Sequence, residues 1–145
     1  MIWLLRHGEA EDEAPGAGGD SERRLTAKGE KQSKAAGRAL EALGPDLEAC
    51  LASPKVRARD TAELACAALG LEVELDDRLR GGGFDPNDLA AGRGDVLLIG
   101  HEPDLSDAIA ALTGARVKLR KGGLAALDGR LLHALLTPAQ LRRIG

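Results

Sequence analysis

A three-layer α/β/α domain built on a mostly parallel central sheet is the fold this sequence predicts. Three observations carry that expectation. Apolar runs at 1–5, 47–53 and 96–99 have the length and composition of buried strands, segments of helical periodicity lie between them, and the first and last runs each lead into a histidine, as Arg6-His7 and Gly100-His101. Strands alternating with helices close most simply as a parallel sheet covered on both faces, with ligands gathered at the carboxyl ends of the strands. At 145 residues the chain suits one compact domain over 1–145, able to bury about two thirds of its unfolded surface without a disulfide or metal staple.

The elements follow in order. Met1-Ile2-Trp3-Leu4-Leu5 reads as a strand buried in mid-sheet. Residues 9–24 are polar and carry Pro15, Gly16, Gly18 and Gly19, the composition of a loop over one end of the sheet. Thr26 caps a helix in which Ala35, Ala36, Ala39, Leu40 and Leu43 recur at helical spacing until Gly44-Pro45 stops it. After the strand at 47–53, Ser53-Pro54 reads as helix cap and first helical residue, with Ala58, Ala62, Ala65 and Leu69 on one face and Gly70 at the end. A short strand at 71–75 precedes Gly81-Gly82-Gly83-Phe84-Asp85-Pro86, expected to be a loose loop rather than a closure over a site. The strand at 95–101 is the clearest of all, and Asp104 is expected to cap a helix running through Leu105, Ala108 and Leu112 to Gly114. The remainder reads as a hairpin turning at Asp128-Gly129.

Composition narrows the function. The formal charge of −3, one Phe, one Trp and no Tyr leave neither a basic stripe nor a stacking platform, so no nucleic acid is expected as partner. Cys50 and Cys66 match no zinc or redox spacing and read as small buried hydrophobes in a reducing compartment. The apolar runs are far short of a membrane span, and Arg6 and His7 interrupt the first before any cleavage-site pattern, which predicts a soluble, cytoplasmic protein with no membrane partner.

The strand ends carry the chemistry. Arg6 offers planar donors matched to phosphate oxygens, Gly8 permits close backbone approach, and the imidazole of His7 can act as a nucleophile at neutral pH. A parallel sheet brings Arg57, in the first turn of a helix, and His101 to the same end. Each of these residues alone has an ordinary structural reading; their convergence makes a cationic pocket suited to the spread charge of a transferring phosphoryl group.

Four ordered blocks then carry a resemblance to a known family: Arg6-His7-Gly8, Arg23-Arg24-Leu25-Thr26-Ala27-Lys28-Gly29, Ser53-Pro54-Lys55-Val56-Arg57-Ala58-Arg59-Asp60-Thr61-Ala62, and Gly100-His101-Glu102-Pro103-Asp104-Leu105-Ser106. Together, over nearly the whole chain, they resemble the histidine phosphatase superfamily, in particular its short SixA-type phosphohistidine phosphatases. The resemblance implies a phosphoglycerate mutase-like fold and His7 as the residue that becomes phosphorylated. It implies Arg6, Arg57 and His101 as phosphoryl ligands, with Arg23 assisting. Neither cofactor nor metal is expected, since arginines and an imidazolium would supply the electrostatics. The other nitrogen of His7 should donate to a carbonyl that fixes its tautomer, with the backbone near Gly8 as partner.

One departure bears on substrate. Mutase and sugar-phosphatase members of the family carry a glutamate acid in a leucine-x-glutamate context after the third strand, where this chain has Leu79-Arg80-Gly81. An alkoxide needs a general acid to leave, whereas a phosphorylated imidazole leaves with less help. The missing carboxylate therefore favours phosphohistidine. Glu102 ranks first as proton donor, its alternative being a carboxylate that steadies the following helix start, and Glu9 and Asp85 come next. His133 is assigned a structural role, and Glu9, Glu11, Asp12 and Glu13 a solvated loop face. The expected substrate is a phosphorylated protein, with a small-molecule phosphomonoester as the nearest rival and a non-catalytic phosphate-binding module as the alternative from another class.

Overall fold

Alternate residues of the central strands point into two separate cores. The computed structural model describes residues 1–145, and in it Trp3 and Leu5 of β1 (Ile2–Arg6) face one side while Leu4 faces the other. The same alternation holds in β2 (Leu47–Ala52), with Cys50 and Ala52 against Ala49 and Leu51. It holds again in β4 (Asp95–Gly100), with Leu97 and Ile99 against Val96 and Leu98. A strand buried on both faces reads as a continuous apolar run, which is why these three stand out in the sequence.

Six strands form the sheet in the order β3-β2-β4-β1-β5-β6. β3 (Val73–Leu75), β2, β4 and β1 are parallel, and β5 (Leu124–Asp128) and β6 (Leu131–Leu136) complete it as an antiparallel hairpin beside β1. The first core is covered by α1 (Ala27–Leu43), α2 (Val56–Leu69) and α5 (Pro138–Ile144), the second by α3 (Pro86–Ala90) and α4 (Asp104–Thr113). The layer between α1 and α2 is thin because small residues meet there. A Cβ on Gly37 would lie 2.5 Å from the carbonyl oxygen of Ala65.

The chain leaves β1 for α1 on one face and leaves β4 for α4 on the other, while β1 and β4 are neighbours in the sheet. The two loops thus diverge and open a crevice at the strand ends, the switch point where open α/β sheets bind ligands. Register does the rest. Arg6 pairs with Gly100, so the next residue on each strand, His7 and His101, emerge side by side.

Local chemistry explains most helix ends. The hydroxyl of Thr26 accepts from the amide of Gly29 at 3.0 Å, and Gly44 and Gly70 terminate α1 and α2 with φ of 73° and 67°. Both cysteines are buried and unpaired. No helix is long and apolar enough to cross a membrane.

Several expectations are corrected. α2 starts at Val56, and Ser53 does not cap it, because its hydroxyl bonds His101 and the Lys55 amide. Asp104 is the first residue of α4 rather than its cap; Glu102 supplies the acceptor for that helix start. Residues 81–85 form a loop without regular secondary structure, as expected, but both its flanks are structured. A 3-10 turn at Asp77–Leu79 buries Leu79, and α3 follows with Asp85 as its cap and Pro86 in its first turn. The C-terminal region is not only a hairpin, since Thr137 and Gln140 form a reciprocal capping box at the start of α5.

Candidate active site

His7, Arg57 and His101 are only 6%, 5% and 7% exposed, far more buried than free surface cations would be. The two imidazole centroids lie 5.1 Å apart, and the rings are tilted by 53°. His7 is anchored by backbone: its amide donates to the Gly100 carbonyl at 3.1 Å, and its own carbonyl accepts from the Gly122 amide at 3.0 Å. Its ring Nδ1 sits 2.7 Å from the Gly8 carbonyl. A carbonyl only accepts, so the proton is on Nδ1 and the lone pair is on Nε2. That is the partner expected near Gly8.

Two glycines let this loop approach α1. A Cβ on Gly8 would lie 2.5 Å from the Gly29 carbonyl oxygen, and a Cβ on Gly29 would lie 2.0 Å from the Glu9 carbonyl oxygen. The loop is also pinned to α2. The Gly8 amide donates to Thr61 Oγ1 at 3.0 Å, and Thr61 in turn donates to the Arg57 carbonyl at 2.7 Å. Ser33, fully buried, bridges Thr61 and the Gly29 carbonyl. We expect Gly29→Ala to cost roughly 1–3 kcal/mol of stability as an overpacking change. It should lower kcat/KM beyond that loss, because the strain falls on the backbone that carries His7. Denaturant titration and kinetics on the same preparation check this, and unchanged values in both would refute it.

Arg57 donates through Nη1 to the Asp20 carbonyl at 2.9 Å and through Nη2 to its carboxylate at 3.2 Å. Asp20 also accepts from Arg23 Nε at 2.9 Å and Lys55 Nζ at 3.4 Å. It lies in a 3-10 turn, Asp20–Glu22, inside the region expected to be plain loop. Burial works to raise the Asp20 carboxyl, and hydrogen bonds from Arg23 and Arg57 outweigh it, holding the group at about 2. Arg6 donates from Nη1 to the Leu119 carbonyl at 3.0 Å. Its pKa is lowered by burial, an effect the Glu102 charge opposes.

Arg6 Nε, Arg57 Nε and His101 Nδ1 are buried and have no hydrogen-bond partner in the protein. Such groups are rare because each costs about 1–3 kcal/mol. A fourth, Trp3 Nε1, lies in the first core; the other three belong to residues gathered at the strand ends around His7, where unpaired donors suit an oxyanion. No group of three or more His, Cys, Asp or Glu side chains is placed to hold a metal ion.

Electrostatics set the resting state of the two imidazoles. Burial, opposed by the Gly8 hydrogen bond and aided by Arg57, Arg6 and Arg23, pushes His7 down to about 4. Burial, then His7, Arg57 and Lys55, push His101 down to about 3 against the pull of Asp20. Neither ring is an imidazolium in the free protein at pH 7. The arginines and Lys55 carry the positive charge. We therefore expect the His7 ring, followed by NMR in the free protein, to show no titration between pH 7 and 5. A midpoint near 6.5 would contradict this. The folded values lie below the unfolded one, so the unfolded chain binds more protons as pH falls. Stability from these two rings should be complete above about 6.5 and decline as pH falls toward 4.

The remaining sequence-predicted residues divide. Arg23 is held by Asp20 and by the Glu11 carbonyl, close enough for its charge to act on His7. The Glu102 carboxylate accepts from the amide and the hydroxyl of Ser106. Glu9 does not share the solvated face of Glu11, Asp12 and Glu13, since its carboxylate accepts from the Thr26 hydroxyl at 2.9 Å. Asp85 accepts from the Asn87 amide and has no hydrogen bond to the pocket. His133 lies on the outer strand β6. Sequence reasoning did not single out Asp20, Ser53 or Thr61 for the pocket. Ser53 and Thr61 sit in the Ser53–Ala62 block that carries Arg57, whereas nothing local marks Asp20.

The fold and this arrangement define an α/β protein with a buried cationic site at its topological switch point. Residues 2–85 match the model of the histidine phosphatase superfamily (branch 1), and the chain belongs to that family. It is 37% identical over 138 residues to an uncharacterized protein of Picosynechococcus sp., covering 87% of this chain and 83% of that one. It is 36% identical over 81 residues to a protein of Salmonella arizonae named probable phosphoglycerate mutase GpmB, covering 55% of this chain and 37% of that one. Among solved structures, the protein histidine phosphatase SixA complexed with tungstate superposes with a TM-score of 0.81 at 26% identity. That likeness covers 97% of this chain and 98% of the other.

Proposed function

We propose that this protein is a metal-independent phosphatase that forms a covalent phosphohistidine on His7 and acts on phosphohistidine in a protein. The observation that carries the proposal is the 2.7 Å contact of His7 Nδ1 with the Gly8 carbonyl, which leaves Nε2 unprotonated inside a pocket of arginines. Nε2 attacks phosphorus in line, the bond from phosphorus to the substrate nitrogen breaks, and the departing imidazole takes a proton from water. As charge grows on the His7 ring, the Gly8 carbonyl holds its Nδ1 proton. Water then attacks phosphorus, the bond to Nε2 breaks, and inorganic phosphate leaves. Arg6 and Arg57 bind the phosphoryl oxygens and Arg23 adds charge from Asp20's side. Ser53 accepts from the Lys55 amide at 3.2 Å and lies 2.8 Å from His101 Nε2. With its hydroxyl donating to Nε2, His101 carries its proton on Nδ1 and points a donor at the same oxygens.

The likeness to a protein histidine phosphatase that binds tungstate, a tetrahedral oxyanion, supports this reading. So does Leu79-Arg80-Gly81, which brings no carboxylate to protonate an alkoxide. A binding module would have no use for a nucleophile poised in its reactive tautomer. Glu102 is proposed as the proton donor for poor leaving groups, released from Ser106 when substrate enters.

A side-by-side assay tests substrate and acid together. The unsubstituted protein should hydrolyse a phosphohistidine protein and phosphoramidate well and alkyl phosphates poorly, with full activity in chelator. Glu102→Gln should slow alkyl phosphates by about 10²- to 10⁴-fold and the nitrogen-linked substrates little, because only the former need a general acid. Preference for alkyl esters would establish the small-molecule phosphomonoesterase instead. Activity lost in chelator and restored by zinc or magnesium would overturn the metal-free mechanism.

A further inference from the structure

The segment 115–121, Ala-Arg-Val-Lys-Leu-Arg-Lys, carries four cations and no acid. It runs extended from the end of α4 toward β5, and exposure alternates along it. Arg116, Lys118 and Arg120 are exposed, while Val117 is half-buried and Leu119 buried. The period-2 alternation of an extended chain lines these cations up on one side. The Leu119 carbonyl accepts from Arg6, and Gly122 donates to the carbonyls of Arg6 and His7. The segment is thus bonded directly to the nucleophile's strand end.

Beside it lies a groove of about 570 Å³ with no hydrophobic lining, bordered by Lys28, Lys118, Arg120 and Lys121 and by Arg6 of the candidate active site. None of the four flanking cations takes part in a salt bridge, although eight salt bridges form elsewhere in the chain. The acid on this rim, Glu9, is occupied by the Thr26 hydroxyl. Four unpaired cations and Arg6 against the single carboxylate of Glu9, in a cleft of a protein whose net charge is −3, make a net positive field that attracts anions. Clefts of this kind raise association rates by about 10- to 10³-fold.

We propose that this groove docks carboxylates that flank the phosphohistidine of an acidic protein substrate, reading the partner while Arg6 reads the phosphoryl group. The proposal rests on the phosphohistidine reading above. Four cations spread over α1 and the 115–121 segment exceed what one phosphoryl group can neutralise, and Arg6 belongs to both sites, so an extended anionic surface fits them better than a small phosphate. RNA is disfavoured by the lack of stacking side chains: Trp3 is buried, Phe84 packs in the second core, and neither lines the groove.

The test is a double-mutant cycle in which one partner is the triple variant Lys118→Gln, Arg120→Gln, Lys121→Gln. The other is a phosphohistidine protein with acidic residues beside its histidine, compared with the same protein carrying Asn and Gln there. All three enzyme positions are exposed, and circular dichroism confirms that the variant folds. The triple variant should lose at least tenfold in kcat/KM on the acidic protein relative to phosphoramidate, through KM rather than kcat. Neutralising the substrate's carboxylates should cost the unsubstituted enzyme the same factor and the variant nothing more. Lys118→Arg with Arg120→Lys should retain the preference. Equal losses on both substrates, or equal turnover of both proteins by both enzymes, would overturn the groove proposal alone. If the unsubstituted enzyme hydrolyses phosphohistidine in neither protein while cleaving alkyl esters, the function reading itself fails. RNA bound at physiological salt and released by the triple variant would reassign the groove to nucleic acid.

Discussion

His7→Ala is expected to lose all measurable phosphatase activity, a fall of about 10⁴- to 10⁶-fold on the scale seen when a covalent nucleophile is removed. The side chain contributes one hydrogen bond, to the Gly8 carbonyl, while the position of residue 7 is set by backbone bonds to Gly100 and Gly122 that alanine keeps. The variant should therefore fold and still bind vanadate, held by Arg6, Arg57 and His101. Retention of both fold and oxyanion affinity is what separates a missing nucleophile from a collapsed site. Substantial residual turnover in His7→Ala would remove His7 from the mechanism.

Arg57→Ala is the second large effect. Its guanidinium sits in the pocket at 5% exposure with Nε unpartnered, aimed by the Asp20 carbonyl and carboxylate. Removing one such preorganised donor typically costs about 10²- to 10³-fold in kcat. Here vanadate affinity should fall with it, because the contact is already made in the bound state. Arg57→Lys should recover little, since an ammonium cannot span Asp20 and a phosphoryl oxygen together as a planar fork does. Kinetics alongside inhibitor titration check this, and a drop in kcat without a change in vanadate affinity would place Arg57 outside the oxyanion site.

The two variants probe residues that the sequence itself singles out, and the reason is physical. A strand buried on both faces must be a continuous apolar run, so a cationic residue and a histidine at its end are conspicuous. Two such strands in parallel register must bring His7 and His101 together. The tautomer of His7 is equally legible, because a neutral nucleophile needs an acceptor for its other nitrogen and Gly8 is the nearest backbone. Less legible is whatever depends on a short segment meeting a distant one. The helices at Pro86–Ala90 and Pro138–Ile144 are too brief for periodicity to show, and only the Asp85-Pro86 and Thr137-Pro138 pairs announce them. Ser53 looks like a helix cap from its neighbours, yet across the sheet it meets His101. Glu102 reads as a free carboxylate, yet at the start of α4 it accepts from the amide and hydroxyl of Ser106. Asp20 carries no local signal, since its task as the acceptor for Arg23, Lys55 and Arg57 exists only once the loop at 9–24 folds back over α2.

The neutral state of both histidines follows from the same geometry and not from their residue type. Burial beside arginines makes protonation costly, which keeps Nε2 of His7 ready but also makes the free pocket intolerant of acid. A phosphoryl dianion bound there would reverse that balance, as opposite charge favours the protonated ring.

The central claim, transfer of the phosphoryl group to His7, is tested most directly by rapid quench under alkaline conditions with a labelled phosphoramidate, followed by peptide mass analysis. The account predicts an acid-labile, alkali-stable phosphoryl group on the His7 peptide, formed within one turnover, discharged by water and missing from His7→Ala. Label confined to another residue, His101 in particular, or turnover with no labelled protein at any time, would contradict it.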